Sequence, residues 1–289
     1  MVATMVDPTI PSNIGQLTVG FHAGNTIFHL ANHYKRVEEV VREIAQNILD
    51  AKSKWGRIIL NLERRTLQAR DNGDGASLEE MRQRIAQIGA RRKGPKDIGE
   101  KGIGNLAPTA IARLYRMITR KRDAKPKTSF FQISLDREAI EGKAEVAFDY
   151  KWLESGFSLT SGGEVASTFI DVKDIEPAAL RQLAKEANPA QFLADFLAEA
   201  FSAKIRETEI RLEIVVISED GTQTKVMVKP IQFPGRREVI EIPTPRGPVT
   251  FEMYLSRTQT KNPKIEVNHQ NRSSFPLQGV EMLWHEVAG

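Results

Sequence analysis

Glu43, Asn47, Asp50 and Lys54 recur at spacings of four, three and four residues. On a helix, positions so spaced fall within about 60° of one another and make one polar stripe of two acids, an amide and an amine. Two more motifs follow. Asp71-Asn72-Gly73-Asp74-Gly75 sets a carboxylate at the end of an apolar segment and then a glycine-rich turn. Gly99-Glu100-Lys101-Gly102-Ile103-Gly104 spaces three glycines around a lysine. Glycines in this pattern let the backbone turn tightly and bring N–H groups toward phosphates, and a helix starting near Asn105 adds the positive end of its dipole. Each motif also has a plain alternative. The stripe fits a surface row of salt bridges, Asp50 with Lys54, and the helix alone favours that. The Asn-Gly pair fits a tight turn, and the glycine run fits a generic flexible loop. In order and together, the three fit one nucleotide site. A Rossmann turn is excluded because no strand leads into the glycines; residues 91–98 are basic and broken by Pro95. A P-loop is excluded because no Gly-Lys-Ser/Thr follows.

The elements that must position these residues follow from periodicity. Residues 1–15 are irregular, with Pro8 and Pro11 preventing a regular element, and 16–21 alternate weakly as a strand. A helical period begins near Ile27 and strengthens through Val37, Val40, Val41, Ile44, Ile48, Ala51 and Trp55. These seven fall in a sector of roughly 100°, a core-facing stripe. The polar stripe borders it, at the rim of a cleft. Residues 58–62 and 66–70 read as strands joined by the Glu63-Arg64-Arg65 turn, 77–88 as a short helix, and 89–104 as a loop. Residues 105–114 read as a helix with Pro108 in its first turn, where a missing N–H costs little. Strands are expected at 115–119, 128–135, 144–150 and 167–172, helices at 177–187 and 189–203, and a hairpin at 210–217 and 222–228 across Glu219-Asp220-Gly221. Helices on one face of a mixed sheet make a two-layer α/β sandwich. Beyond a boundary at 230–237, strands are expected at 238–242, 249–255 and 264–267. About 50 residues make a thin independent core, so the chain is expected to stop inside a second domain.

Composition bounds the remaining classes. The 289 residues are 40% hydrophobic and 27% charged, ordinary for a globular protein. There is no apolar run near 18 residues and no basic-then-apolar leader, so neither a membrane span nor a secretory signal is expected. The absence of cysteine excludes disulfides and thiolate metal sites and is compatible with a cytoplasmic protein. His22, His29, His33, His269 and His285 show no ligand spacing with nearby carboxylates. The net charge of +4 and pI of 9.2 are unevenly spread. Arg91, Arg92, Lys93, Lys96 and Lys101 form one basic cluster, and Arg113, Arg116, Arg120, Lys121, Arg122, Lys125 and Lys127 another. The first fits either a solvated face or a phosphate-facing loop. The second fits either a solvated face or a nucleic-acid surface.

The order and spacing of the three motifs resemble the ATP-binding domain shared by gyrase B, the ninety-kilodalton heat-shock chaperones, sensor histidine kinases and MutL, the GHKL or Bergerat family. The resemblance spans roughly residues 15–230. It implies an α+β Bergerat fold with helices on one face of a mixed, mostly antiparallel sheet. The expected organisation is an arm at 1–15, the ATP-binding domain at 16–232 with a lid at about 76–104, and a β-rich segment at 233–289 belonging to a transducer-like second domain. It implies ATP and Mg²⁺ as cofactors. Carried over, Glu43 orients and deprotonates the attacking water, Asn47 offers its amide oxygen to Mg²⁺, and Asp50 contacts the nucleotide through water. Lys54 matches a position often basic in the chaperones. Asp71 accepts a hydrogen bond from the exocyclic amine of adenine, where guanine presents a repelling carbonyl. Gly73 and Gly75 leave room for the purine, and Ala76 replaces a frequent methionine. Gly99, Lys101, Gly102, Ile103 and Gly104 resemble the box that ends the lid. Thr168 resembles the threonine whose hydroxyl lies near adenine, with Ser167 in place of the usual glycine; a buried strand threonine is the alternative.

Sensor kinases generally lack the glutamate at Glu43 and carry a phospho-accepting helix pair, which is not seen before residue 16. The resemblance therefore implies a slow ATPase of the bacterial stand-alone type, near MORC and chaperone proteins, that closes its lid and dimerises on ATP. Lys101, with Lys261 or Lys264, would sense the γ-phosphate. The expected target is DNA or a protein complex. The alternatives are a chaperone-like scaffold engaging client polypeptides and a histidine-kinase-type phosphotransferase.

Overall fold

The computed structural model describes residues 34–86, 107–122, 129–141, 143, 149–154, 156–161, 163–232, 236–243, 249–255, 265–269 and 272–277. Six helices lie among them: α1 (Val37–Asp50), α2 (Leu78–Ala86), α3 (Pro108–Ile111), α4 (Arg137–Ile140), α5 (Pro177–Leu180) and α6 (Pro189–Thr208). The strands are β1 (Trp55–Asn61), β2 (Thr66–Asp71), β3 (Ala112–Thr119), β4 (Phe131–Asp136), β5 (Asp149–Trp152), β6 (Leu159–Ser161), β7 (Glu164–Ala166), β8 (Thr168–Ile175), β9 (Arg211–Ile217) and β10 (Gln223–Met227). Four further strands, β11 (Arg236–Ile242), β12 (Val249–Leu255), β13 (Ile265–His269) and β14 (Arg272–Leu277), pair as two separate hairpins.

Eight strands form one sheet in the order β10-β9-β1-β2-β8-β3-β4-β5. Only β1 and β9 run parallel; every other neighbour is antiparallel. This is the expected mixed, mostly antiparallel α+β sandwich. Successive residues of a strand point to opposite faces, so each strand divides its sequence between two environments. One face carries Ile58, Leu60, Leu67, Ala69, Met117 and Val172, which join α1 and α6 in a single buried core. The other face has a small apolar cluster of Trp55, Ile118, Phe130, Leu159, Ala166 and Phe169 under the β6–β7 hairpin. Elsewhere the same face carries Ile59 and Val215 and a set of ion pairs. Glu213 pairs with Arg57 and, at 2.8 Å, with Lys225, and Asp171 takes Arg116 at 2.5 Å and Gln68 at 3.1 Å.

The helix ends have local causes. The Glu39 carboxylate accepts from Lys35 N at 2.9 Å and Arg36 N at 3.2 Å, satisfying donors at the start of α1. Asn188 caps α6 by accepting from Gln191 N at 3.1 Å, with Pro189 in the first turn. Ser77 and Glu80 exchange bonds of 3.1 and 2.8 Å, a capping box that starts α2. α1 is buried almost all round. Glu38 and Gln46, both outside the apolar stripe, are 1% and 3% exposed.

Several boundaries differ from those expected. α1 begins at Val37 and ends at Asp50; Lys52 then takes a left-handed turn (φ 56°) and Trp55 opens β1. Trp55 therefore leaves the helical core for the opposite face, and Lys54 lies on a turn, off the stripe. The 105–114 helix is only Pro108–Ile111, and β3 starts at Ala112. The 177–187 helix splits into α5 and a 3-10 turn at Leu183–Lys185. Strands β6, β7 and β14 were not expected. The expected strand at 16–21 and the glycine-rich loop lie mainly outside the described residues.

Candidate functional site

β2 ends at Asp71 in the middle of the sheet. Its register partners are Gly56 on β1 and Thr168 on β8, and Thr168 in turn faces Thr119 on β3. Register partners share a face, so Asp71, Thr168 and Thr119 form a polar row on the helix-covered side. A Cβ on Gly56 would meet Ile48 of α1 at 2.7 Å, which identifies that side. The hydroxyls of Thr119 and Thr168 lie 3.1 Å apart.

Asp71 is 5% exposed. Its Oδ1 accepts from Ser53 Oγ at 3.0 Å and from Gly73 N at 2.8 Å. Among the described residues no donor reaches Oδ2. Burial pushes the carboxyl up to about 6, against the two hydrogen bonds and the nearby Arg122 charge, which pull it down. A buried acid at a strand end, with one oxygen satisfied and the other unclaimed, is suited to accept a hydrogen bond from a ligand.

The loop after Asp71 is built into the protein. Asn72 Oδ1 accepts from the backbone N–H groups of Lys54 at 2.9 Å and Trp55 at 3.1 Å. Asp74 N donates to Ala51 O at 2.7 Å, joining the loop to the end of α1. A Cβ on Gly73 would meet Ser53 Oγ at 2.5 Å and Ala51 O at 2.6 Å. Gly75 has φ 62°, and a Cβ there would overlap the Arg120 carbonyl oxygen. Both glycines are thus required by the close packing of the loop on its neighbours, whatever room they also leave for a ligand. Ala76 is buried, and its N donates to Thr119 Oγ1 at 3.3 Å.

Two positions with no expected role at the site complete this cradle. Ser167 replaces the expected glycine, and it has a use. Its Oγ donates to Gly73 O at 2.6 Å and its N to Asp71 O at 2.8 Å, stitching β8 to the loop. Arg122 donates to Asn72 O at 2.6 Å and Asp74 Oδ1 at 3.1 Å. Arg122 and Asp74 are 41% and 34% exposed, and an exposed ion pair contributes only about 0–1 kcal/mol. The buried hydrogen bonds of Asp71 and Ser167 therefore hold the loop more firmly than this ion pair.

Glu43, Asn47 and Asp50 share the stripe on α1 that leads to this loop. Glu43 is buried at 7% exposed, and Asn47 and Asp50 are half-buried. α1 meets the Asp71 loop through Ala51, one residue past Asp50, so the helical stripe and the strand-end carboxylate belong to adjoining elements. Lys54 is exposed and joins only through its backbone N–H. Gly99, Lys101, Gly102, Ile103 and Gly104, with the first basic cluster, lie outside the described residues. No cluster of three or more His, Cys, Asp or Glu suited to a metal occurs among the described residues. A magnesium ion would therefore take most of its oxygens from phosphates and water, and the Asn47 amide oxygen is a donor of the right type for one position.

The second basic cluster is committed internally over its described part. Arg113 pairs with Glu138 at 3.3 Å, Arg116 with Asp171 at 2.5 Å and Lys121 with Glu80 at 2.9 Å. The Arg120 guanidinium sits 4.4 Å from the centre of the Phe130 ring.

No helix among the described residues is long and apolar enough to cross a membrane. Residues 34–153 match the family model described as histidine kinase-, DNA gyrase B- and HSP90-like ATPase. No curated protein sequence matches the chain. Among solved structures, the crystal structure of the N-terminal domain of a DNA repair protein matches at 14% identity and TM-score 0.47, covering 80% of this chain and 71% of that one. Residues 34–153, which carry the α1 stripe and Asp71, are thus similar to a GHKL-type ATPase domain.

Proposed function

We propose that the chain binds ATP with magnesium, hydrolyses it slowly, and uses the nucleotide as a conformational switch. The observation that carries this reading is Asp71: a buried carboxylate with Oδ1 held by Ser53 and Gly73 and Oδ2 unclaimed by any described donor. The exocyclic amine of adenine donates to that oxygen, while guanine offers a carbonyl and is repelled. Thr168, beside Asp71 in register, supplies a hydroxyl to the same edge of the base. The triphosphate extends toward α1. There Asn47 holds the metal, which neutralises phosphate charge when bound, Asp50 reaches the nucleotide through water, and Glu43 orients the attacking water and takes its proton. Lys54, Gly99, Lys101, Gly102, Ile103 and Gly104 complete the phosphate side.

In this reading residues 76–104 form a lid that closes over ATP and creates a surface for a second copy of the chain. ATP must favour the closed state through contacts that ADP cannot make, and Lys101 is the residue proposed to make them. The domain boundaries that go with it are an arm at 1–15, the ATPase domain at 16–232 and a second domain from 233.

Glu43→Ala tests the assignment. The variant is expected to keep ATP affinity within about threefold and lose at least a hundredfold in turnover, the scale of a missing general base. Turnover at the wild-type rate would assign the base elsewhere.

A second reading, a chaperone-like scaffold for protein clients, is favoured by the internal pairing of Arg113, Arg116 and Lys121. Those charges are spent inside the chain and add little to a nucleic-acid surface. Duplex DNA binding that steepens at low salt would support the DNA target; its absence supports the client reading.

A further inference from the structure

Ser53 is 2% exposed and touches the centre of the site, yet it has none of the roles proposed for Asp71, Thr168 or α1. It sits on the short turn between α1 and β1, just after the left-handed Lys52. Its Oγ lies 3.0 Å from Asp71 Oδ1 and at the place where a Gly73 side chain would begin. Two features of this arrangement bear on the base. First, Ser53 Oγ and Gly73 N approach the same oxygen, so together they fix the plane of the carboxylate and leave Oδ2 alone for a ligand donor. Second, both donate to the charged form. Hydrogen bonds that stabilise a carboxylate keep it ionised against burial, and only an ionised Asp71 accepts from an exocyclic amine at either oxygen without first losing a proton.

We propose that Ser53 is a positioning residue for nucleotide recognition: it aims the Asp71 carboxylate and holds it ready to accept the amine of an adenine nucleotide near neutral pH. This rests on the reading of Asp71 as the base-binding group. Among the described residues the charged groups around Asp71 are few. Arg122 reaches its loop from the end of β3, Asp74 lies in the loop paired with Arg122 at 3.1 Å and with Lys52 at 4.0 Å, and α1 contributes Glu43 and Asp50. Its register partners, Gly56 and Thr168, do not titrate. Glu43, Asp50, Lys52, Asp74 and Arg122 are unchanged by a substitution at Ser53, so a shift seen on that substitution reports Asp71.

The test is the pH dependence of ATP affinity for the wild-type chain, Ser53→Ala and Ser53→Cys, measured by titration calorimetry from pH 5.5 to 9 with excess magnesium. ATP has titrations of its own, and they cancel in the ratio of variant to wild type. Wild-type affinity should fall below a midpoint near 6, the folded-state value of Asp71. Ser53→Ala should move that midpoint up by about one pH unit, the effect of losing one hydrogen bond to a charged acceptor, and weaken binding about fivefold at pH 6, with the gap closing toward pH 9. Ser53→Cys keeps a weak donor of similar size and should fall between the two. A uniform loss of affinity at every pH would make Ser53 a packing residue and overturn the proposal, as would coincident midpoints. Wild-type protein that binds no ATP at any pH would overturn the base-binding reading of Asp71 as well.

Discussion

Asp71 illustrates how a binding group is kept at the expense of stability. Its folded-state value of about 6 lies above the ordinary aspartate value of 3.8. Between those values the folded chain holds more protons than the unfolded chain. Stability from this group is therefore greatest at low pH, falls as pH rises through the window from about 4 to 6, and stays reduced above it. At pH 7.5 the ionised, buried carboxylate costs about 1–3 kcal/mol. Asp71→Asn keeps an acceptor for Ser53 and Gly73 and removes the charge. We expect it to raise the urea midpoint of the ligand-free protein at pH 7.5 and to give a smaller gain at pH 4.5; a lower midpoint at both would mean the charge is not under strain. The placing of Asp71 and Thr168 at the end and start of strands was legible because the residues before and after them alternate; their task at a nucleotide rests on the resemblance. The tasks of Ser53, Thr119 and Ser167 were not legible. Their roles come from strands and turns brought together across the sheet, and no local pattern encodes a serine that must face an aspartate from the far side of a hairpin.

Elements were read well where one period dominated and badly where two overlapped. The strands at 66–70 and 249–255 alternate, 58–62 is a short run rich in Ile and Leu, the hairpin before 230 is marked by its turn, and the structure has strands at each. Trp55 was assigned to the first helix because its apolar spacing continued that of Ile44, Ile48 and Ala51. The helix stops earlier, since Lys52 turns left-handed and Trp55 is needed under the β6–β7 hairpin. Residues 112–114 read as helix because Ala and Leu suit either state, and pairing with β4 and β8 decided it. Strands of three residues, such as β6 and β7, are too short to show alternation. Gly75 is the element-level test. It holds φ 62° with the Arg120 carbonyl in the place of a side chain. Gly75→Ala should destabilise the fold by about 2–4 kcal/mol, from the left-handed backbone and the overlap together. An unchanged denaturation midpoint would mean the loop does not pack on the end of β3.

At the scale of the whole molecule, the class of fold was readable and the strand order was not. β8 follows β3 only after four intervening strands and a helix, yet it inserts between β2 and β3, and β9 joins β1 in parallel. Such pairings are fixed by burial of the finished core, with long loops bridging them, and leave no local trace. The same order brings Asp71, Thr168 and Thr119 side by side, so the site is a product of topology as much as of motif. If lid closure builds a dimer, ATP turnover per chain should rise with protein concentration before levelling; a flat profile would argue for a site complete in one chain. The account stands most directly on one titration. Calorimetry at pH 8 with excess magnesium should show the wild-type chain binding one ATP and no GTP, and the folded Asp71→Asn variant binding neither. ATP bound by Asp71→Asn with wild-type affinity would contradict it.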